Sequence, residues 1–277
     1  MRLNISAYHW LLLGLLGFLV TSPVAHASVS TDSLVGYWKL DEGTGTSTAD
    51  SSGHNKTGTL QNTPTWSVPS SPTITYTNPY ALSFDRGSSE AVTISATTTD
   101  GDFPFTYSMW VNTTDSTNAY RSFYSEGRST TDTPSFHMQF VLDTDGTCTT
   151  DDSIKIFMRD DAGTGIELCS DTNYSDGAWH NVVLVSTASN NHEMIIDGVS
   201  KATSSTTLST ITFDEIEIAN LTFSAENQYY SGLIDDIRVY SRALSSAELA
   251  DILAGEHLTA IWDGTSSTDW ETAANWD

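Results

Sequence analysis

A chain of 277 residues with 11 Lys+Arg against 35 Asp+Glu carries a formal net charge of −24, a field that repels nucleic acid and anionic lipid alike. Its 38% hydrophobic and 10% aromatic content excludes a disordered acidic tail. What remains is an acidic folded protein of one large domain or two small ones.

The first feature along the chain is an address. Arg2 precedes the apolar run Trp10–Val20 (WLLLGLLGFLV), and Pro23 and the small-x-small triplet Ala25-His26-Ala27 follow. This is the layout of a secretory signal peptide, residues 1–27, with cleavage after Ala27. A membrane anchor needs about 20 apolar residues, and this run is shorter. The expected mature chain is secreted or displayed at the cell surface with a net charge of −25, and no membrane insertion is expected of it.

Period-two alternation marks the strands. Candidates are Leu34–Leu40, Tyr80–Asp85, Ala91–Ser95 and Phe105–Val111 (FTYSMWV), in which Phe105, Tyr107, Met109 and Val111 share one face. Phe136–Leu142 (FHMQFVL) and Ser153–Arg159 (SIKIFMR) alternate in the same way. His180–Ser186, Glu193–Asp197, Glu215–Ala219 and Leu233–Tyr240 complete the series, with Asp-Gly turns at 145–146, 176–177 and 197–198. Ten or more strands predict an all-β fold, a two-sheet antiparallel β-sandwich of the jelly-roll type. One short C-terminal helix closes it. Ser245-Ser246-Ala247-Glu248 is a capping box, Leu249, Ile252 and Leu253 share a helical face, and Gly255 supplies the stop.

The mature chain has two cysteines, Cys148 and Cys169, and an even count in an exported protein favours a disulfide. The strand Ser153–Arg159 and the turn Gly163–Gly165 lie between them, so the chain can double back. Two unrelated thiols or a metal pair are the alternatives, and the paired spacing of zinc sites is absent.

Several segments carry a family signature. Leu34–Leu60 (LVGYWKLDEGTGTSTADSSGHNKTGTL) resembles the first strand and loop of LamG-like domains of the concanavalin A-like lectin/glucanase superfamily. Ala81–Asp85 (ALSFD), Phe105–Asn112, Asp176–Val183 (DGAWHNVV) and Met194–Gly198 (MIIDG) resemble that family's successive core strands. Tyr230–Leu249 (YSGLIDDIRVYSRALSSAEL) resembles its closing strand and helix. The resemblance covers about residues 34–254, implies the jelly-roll sandwich, and departs from the pattern at Phe84-Asp85-Arg86, where a glycine is common. The domain is therefore set at 28–257. Residues 258–277, with Trp262, Trp270 and Trp276, resemble the opening of a β-rich repeat of bacterial surface proteins, a second and truncated module. A tail packing back on the domain is the alternative.

Because the superfamily includes retaining glucanases, catalysis has to be tested. Such enzymes of this fold carry a Glu-x-Asp-x-x-Glu strand motif that sets two carboxylates about 5–5.5 Å apart. That spacing is absent; the nearest run, Asp214–Asn220 (DEIEIAN), offers only Glu215 and Glu217, read as a solvent-facing pair. Asp143-Thr144-Asp145-Gly146 fails the EF-hand spacing and reads as a hairpin turn. The resemblance does imply a structural calcium where the first loop meets the closing strand, with Glu42, Asp50, Asp235 and Asp236 as the matching ligands. Adjacent carboxylates in a strand add a physical argument, since strict alternation turns one of them inward. Tyr120, Arg121 and Tyr124, with the loop Arg128–Pro134, are candidate borders of a ligand site, whereas Trp38, Trp110 and Trp179 read as packing residues.

These features predict a non-enzymatic extracellular recognition module, carbohydrate-binding or adhesive, within a larger secreted or surface protein. Its expected partners are a glycan or an extracellular protein, with calcium as the one expected cofactor. A structural spacer of a surface adhesin and an accessory module of a glycoside hydrolase are the alternatives.

Overall fold

The computed structural model describes residues 31, 33–67, 78–99, 101–117, 120–142, 146–222 and 228–255. The expected signal peptide, the segment 258–277 and Asp143–Asp145 lie outside the described residues.

The alternating segments become strands, and shorter ones join them. In chain order these are β1 (Leu34–Trp38), β2 (Ser47–Thr48), β3 (Gly58–Gln61), β4 (Thr65–Ser67), β5 (Ala81–Phe84), β6 (Ala91–Ile94), β7 (Phe105–Asn112) and β8 (Tyr120–Arg128). They continue as β9 (Thr131–Val141), β10 (Ser153–Arg159), β11 (Gly165–Cys169), β12 (His180–Ala188), β13 (Asn191–Ile196), β14 (Val199–Ser204), β15 (Glu215–Ile218) and β16 (Gly232–Tyr240). One eight-stranded sheet runs β14-β13-β12-β7-β16-β5-β4, with β1 also paired to β16; the other runs β11-β10-β9-β8-β15-β6-β3-β2. Every pairing is antiparallel. The expected sandwich is what forms.

The core lies between the sheets. From the first sheet come Met109, Val111, Val182, Leu184, Met194, Ile234 and Val239; from the second come Phe136, Met138, Phe140, Ile154, Ile156, Ile216 and Ile218. An aromatic train binds the two layers, with Tyr107 against Phe136 at 4.7 Å and Phe105 edge-on to Tyr107 at 5.4 Å. The Glu126 carboxyl is among the buried ones. Glu126 accepts from the hydroxyls of Tyr124 (2.6 Å) and Thr98 (2.5 Å). Burial pushes its carboxyl up, against the lowering by those hydrogen bonds.

Local signals hold in detail. Asp197 (φ 52°) and Gly198 (φ 74°) both sit in the left-handed region, the requirement of the two-residue hairpin turn that joins β13 to β14. Helix α1 (Ser246–Leu253) starts at the predicted capping box, in which Ser245 Oγ accepts from Glu248 N and the Glu248 carboxylate accepts from Ser245 N. Arg242 holds that carboxylate from the strand side at 2.5 Å. The helix covers the outer face of the first sheet, where Leu249 and Ile252 meet Leu34, Val183, Val185 and Tyr240.

The cysteines are bonded. Cys148 and Cys169 have Cα atoms 5.5 Å apart, within the range a disulfide requires. β10 and β11 form the hairpin that returns the chain, with Lys155 opposite Cys169. Closing a loop with a sequence separation of 21 stabilises the fold by about 3 kcal/mol on the chain-entropy view. A Cys148→Ser/Cys169→Ser double variant is therefore expected to unfold at lower denaturant concentration by about that free energy, and the untreated protein to titrate with no free thiol. An unchanged midpoint would refute the stabilising role.

Candidate functional site

The closing strand contains a conflict that the fold resolves by a bulge. Ile234 and Ile237 both enter the core although three positions apart, which strict alternation forbids. The register of β16 against β7 slips between Asp235 and Arg238, and Asp236 adopts φ 50°. The extra residue keeps both carboxylates out of the core. The expectation that one must point inward is thereby corrected. The bulge falls where β16 changes partner along one edge, from β5 (residues 232–234) to β1 (residues 237–240).

Each acidic side chain at the bulge has a distinct environment. Asp236 lies 2.9 Å from Arg238 Nη2, and both are buried. The guanidinium stacks 5.0 Å over the Tyr37 ring. Asp235 is fully buried; its Oδ2 accepts from Asn78 Nδ2 at 2.7 Å, and its Oδ1 has no hydrogen-bond partner. Burial, reinforced by the charges of Asp236 and Asp41, pushes its carboxyl up to about 9 against the lowering by Asn78. Asp41 is likewise raised to about 6 by burial and by the charges of Asp236 and Glu42, against the opposing pull of Tyr80 N and Lys39. Gly43 (φ 66°) lets the Tyr80 ring approach so closely that a Cβ there would lie 2.4 Å from it, which fixes the Tyr80 backbone beside Asp41. Across the sheet, Asp235 faces Trp110, whose buried indole N–H also has no hydrogen-bond partner.

The other two predicted metal ligands do different work. Asp50 accepts from Tyr37 N (3.0 Å), Ser52 N (2.9 Å) and Lys56 N (3.0 Å). Those bonds hold its carboxyl below the usual range despite burial. Glu42 accepts from Ala49 N (2.7 Å) and Thr48 Oγ1 (3.1 Å). Glu42 fastens the first loop to itself, and Asp50 also fastens it to β1. Among the described residues no group of three or more His, Cys, Asp and Glu side chains forms a metal cage. The quartet Glu42, Asp50, Asp235 and Asp236 is therefore not brought together, and Asp41 is the acidic neighbour that sequence reasoning missed.

A cleft of about 230 Å³ opens one row along the same sheet face. Ser83, Leu233 and Asn112 stand side by side there on β5, β16 and β7. Residues 113–115 and 231–232 complete its walls. Hydrogen bonds brace the wall: Thr113 Oγ1 donates to Ser231 O at 2.6 Å, Tyr230 Oη to Asn112 O at 2.8 Å, and Asn112 Nδ2 to Gly177 O at 2.8 Å. Asp115 accepts from Thr117 through Oδ1, while its Oδ2 lies 3.3 Å from Arg86 Nη1 without an aligned hydrogen bond.

The remaining predicted positions fall elsewhere. Arg121 is fully buried, bonded to Asp152 at 2.6 Å and lying over the Phe140 ring. Tyr124 is fully buried against Glu126. A register slip between Ser122 and Tyr124 turns both Phe123 and Tyr124 inward. Neither Arg121 nor Tyr124 can meet a ligand; Tyr120 alone of the three keeps partial exposure. Trp38 is core, and Trp110 is buried on the outer side of its sheet.

Glu215 and Glu217 occupy the outward side of β15, but Glu217 is only 9% exposed and accepts from Thr93 Oγ1 at 2.6 Å. Burial raises its carboxyl to about 7, so the reading of a solvent-facing pair fails at Glu217. Ser186 Oγ bonds His192 Nδ1 at 2.9 Å, yet His192 is fully buried with Nε2 facing the carbonyls of Ser189 and Thr206. That contact is a core fastening. His180 is clasped between Asp197 (2.8 Å) and Asp176 (3.1 Å), which raise its imidazole against the effect of burial.

The fold has known counterparts. The family model Laminin_G_3, concanavalin A-like lectin/glucanases superfamily, matches residues 86–250. No curated protein matches in sequence. Among solved structures, domain 4 of an extracellular GH43 arabinanase from Geobacillus stearothermophilus, in complex with arabinotriose, is similar with a TM-score of 0.57 at 15% identity, covering 80% of this chain and 98% of that one. The ligand-binding domain of botulinum neurotoxin serotype D in complex with N-acetylneuraminic acid gives 0.58 at 15% identity, covering 84% and 53%. The binding domain of botulinum neurotoxin DC in complex with rat synaptotagmin II gives 0.61 at 12%, covering 84% and 54%. The chain thus spans about half the length of the neurotoxin domains it matches. At these identities the likeness is one of fold. The family match extends over more than half of the sequence, and the chain belongs to the Laminin_G_3 family of the concanavalin A-like lectin/glucanases superfamily.

Proposed function

We propose that the chain is an exported carbohydrate-binding module, without catalysis of its own, within a larger secreted or surface protein. The observation that carries this reading is the cleft at Ser83, Asn112 and Leu233. It sets hydroxyl, amide and carboxylate groups around one apolar side chain on a rigid sheet face, the mixture that sugar rings require. The sugar complexes of similar domains support it, as does the buried state of the Ser–His contact. Export rests on the signal-peptide layout of residues 1–27, and among the described residues no helix is long and apolar enough to cross a membrane.

A cation at the bulge belongs to the same proposal. The Asp235 Oδ1 is an orphaned, fully buried oxygen, and Asp236 and Asp41 are the acidic groups whose charges its carboxyl feels. An orphaned carboxylate oxygen beside a second carboxyl and a side-chain amide suits a hard, oxygen-seeking ion such as Ca²⁺. Asp235 and Asp41 are the ligands we assign to it, with Asp236 retained by Arg238.

Two outcomes are expected. On a glycan array the mature chain should be retained by at least one sugar class, and Ser83→Trp, which fills the cleft, should weaken that binding more than about tenfold with an unchanged circular dichroism spectrum. Retention by no glycan, or binding indifferent to Ser83→Trp, would refute the cleft reading.

The second outcome concerns pH. Free carboxyls ionise near pH 4, whereas the folded state keeps Asp41 protonated to about 6 and Asp235 to about 9 in the absence of a cation. The fold then binds more protons than the unfolded chain across that window, so stability falls as pH rises from about 4 towards 9. Asp235→Asn should flatten this decline, and calcium at a hundredfold excess over Kd should raise stability at pH 8 by about 2.7 kcal/mol in the parent only. Melting curves insensitive to calcium at pH 8 would exclude the cation.

A further inference from the structure

We infer that the cleft accepts a single sugar residue that is uncharged or cationic and rejects anionic sugars; this rests on the carbohydrate-binding reading above. Size gives the first half. At about 230 Å³ the cleft is smaller than the roughly 300–1,000 Å³ of pockets for drug-sized ligands, and the braced segment from Asn112 to Asp115 walls it on one side. It has room for one ring against Leu233, and further residues of a chain would extend from it into solvent.

Charge gives the second half. The carboxylate in the wall is Asp115; its Oδ2 is buried without an aligned hydrogen bond, so it acts on a ligand through its charge. The neighbouring cation is already engaged. Arg86 Nη1 is 3.3 Å from that same Oδ2, and Arg86 Nη2 donates to Thr117 Oγ1. A sugar carboxylate would have to break this pairing and leave Asp115 unbalanced beside it. Asp115 thus leaves Arg86 no free charge for an anion, and the whole chain carries −24. Each of these repels an anion and none repels a hydroxyl-rich neutral ring.

Isothermal titration of the mature chain with matched glycosides tests both halves. The ligands are neutral hexosides, N-acetylhexosaminides, hexosaminides, hexuronides and sialosides, each as a monosaccharide glycoside and as a trisaccharide. Neutral or amino-bearing monosaccharides are expected to bind, with trisaccharides within about threefold of them, and anionic sugars at least tenfold more weakly at low salt. Asp115→Asn keeps the shape and the Thr117 contact. It should narrow the gap between anionic and neutral ligands by about fivefold, the effect of one charge at short range. A preference for hexuronides or sialosides, or affinity that climbs more than tenfold with chain length, would overturn this inference and leave the carbohydrate reading standing. Binding of no sugar in any charge class would remove the carbohydrate reading itself.

Discussion

The slip in β16 between Asp235 and Arg238 is the constraint on which the rest depends. β16 is central in its sheet, bonded to β7 on one side and to β5 and then β1 on the other. One inserted residue lets Ile234 and Ile237 both pack inward while three charged side chains stay on the far side. Without the slip, strict alternation would turn one of the two adjacent acids into the sandwich. The Asp236–Arg238 pair holds the inserted residue in its left-handed conformation. Buried pairs of this kind contribute little net stability, but loss of one partner strands a charge and costs about 3–5 kcal/mol. The pair therefore specifies register more than it adds stability.

The bulge also shapes the outer face of its sheet. It divides the outer face of the sheet into a part covered by α1 and an open part at the start of β16. The helix covers Tyr240 and Val183; the open part holds Leu233, Ser83 and Asn112. Capping box, salt bridge to Arg242 and apolar face seat the helix firmly, so the open region is bounded by rigid elements. A polar cleft on such a base needs little ordering when a ligand enters.

Much of the fold was legible because period-two patterning and capping chemistry are local. Phe105–Val111, Ser153–Arg159 and the helix at Ser246 were read from adjacent residues and form where expected. Short strands such as β2 and β4 carry too few residues to show a period. The candidate site was less legible because it depends on register slips. Tyr124 belongs to a segment polar enough to border a site, and the slip in β8 turned it inward. Glu217 looked exposed, and burial beside Thr93 hid it. Asp50 had the right chemistry for a cation, but N–H groups of β1 and the loop had claimed its oxygens. The spacing of Ile234 and Ile237 was the one sequence signal that could have announced the bulge.

The disulfide has a consequence beyond the stability of its loop. β11 is the outermost strand of its sheet, and Cys169 is its last residue. An outermost strand offers a row of unpaired backbone groups to any other chain, and one that frays also uncovers the strand beneath. The bond to Cys148 ties the end of β11 to the segment that enters β10, so the strand cannot peel from its neighbour. Glu167, exposed on the same strand, adds a charge that disfavours a second copy docking there. The disulfide thus protects the protein from edge-to-edge self-association as well as from unfolding.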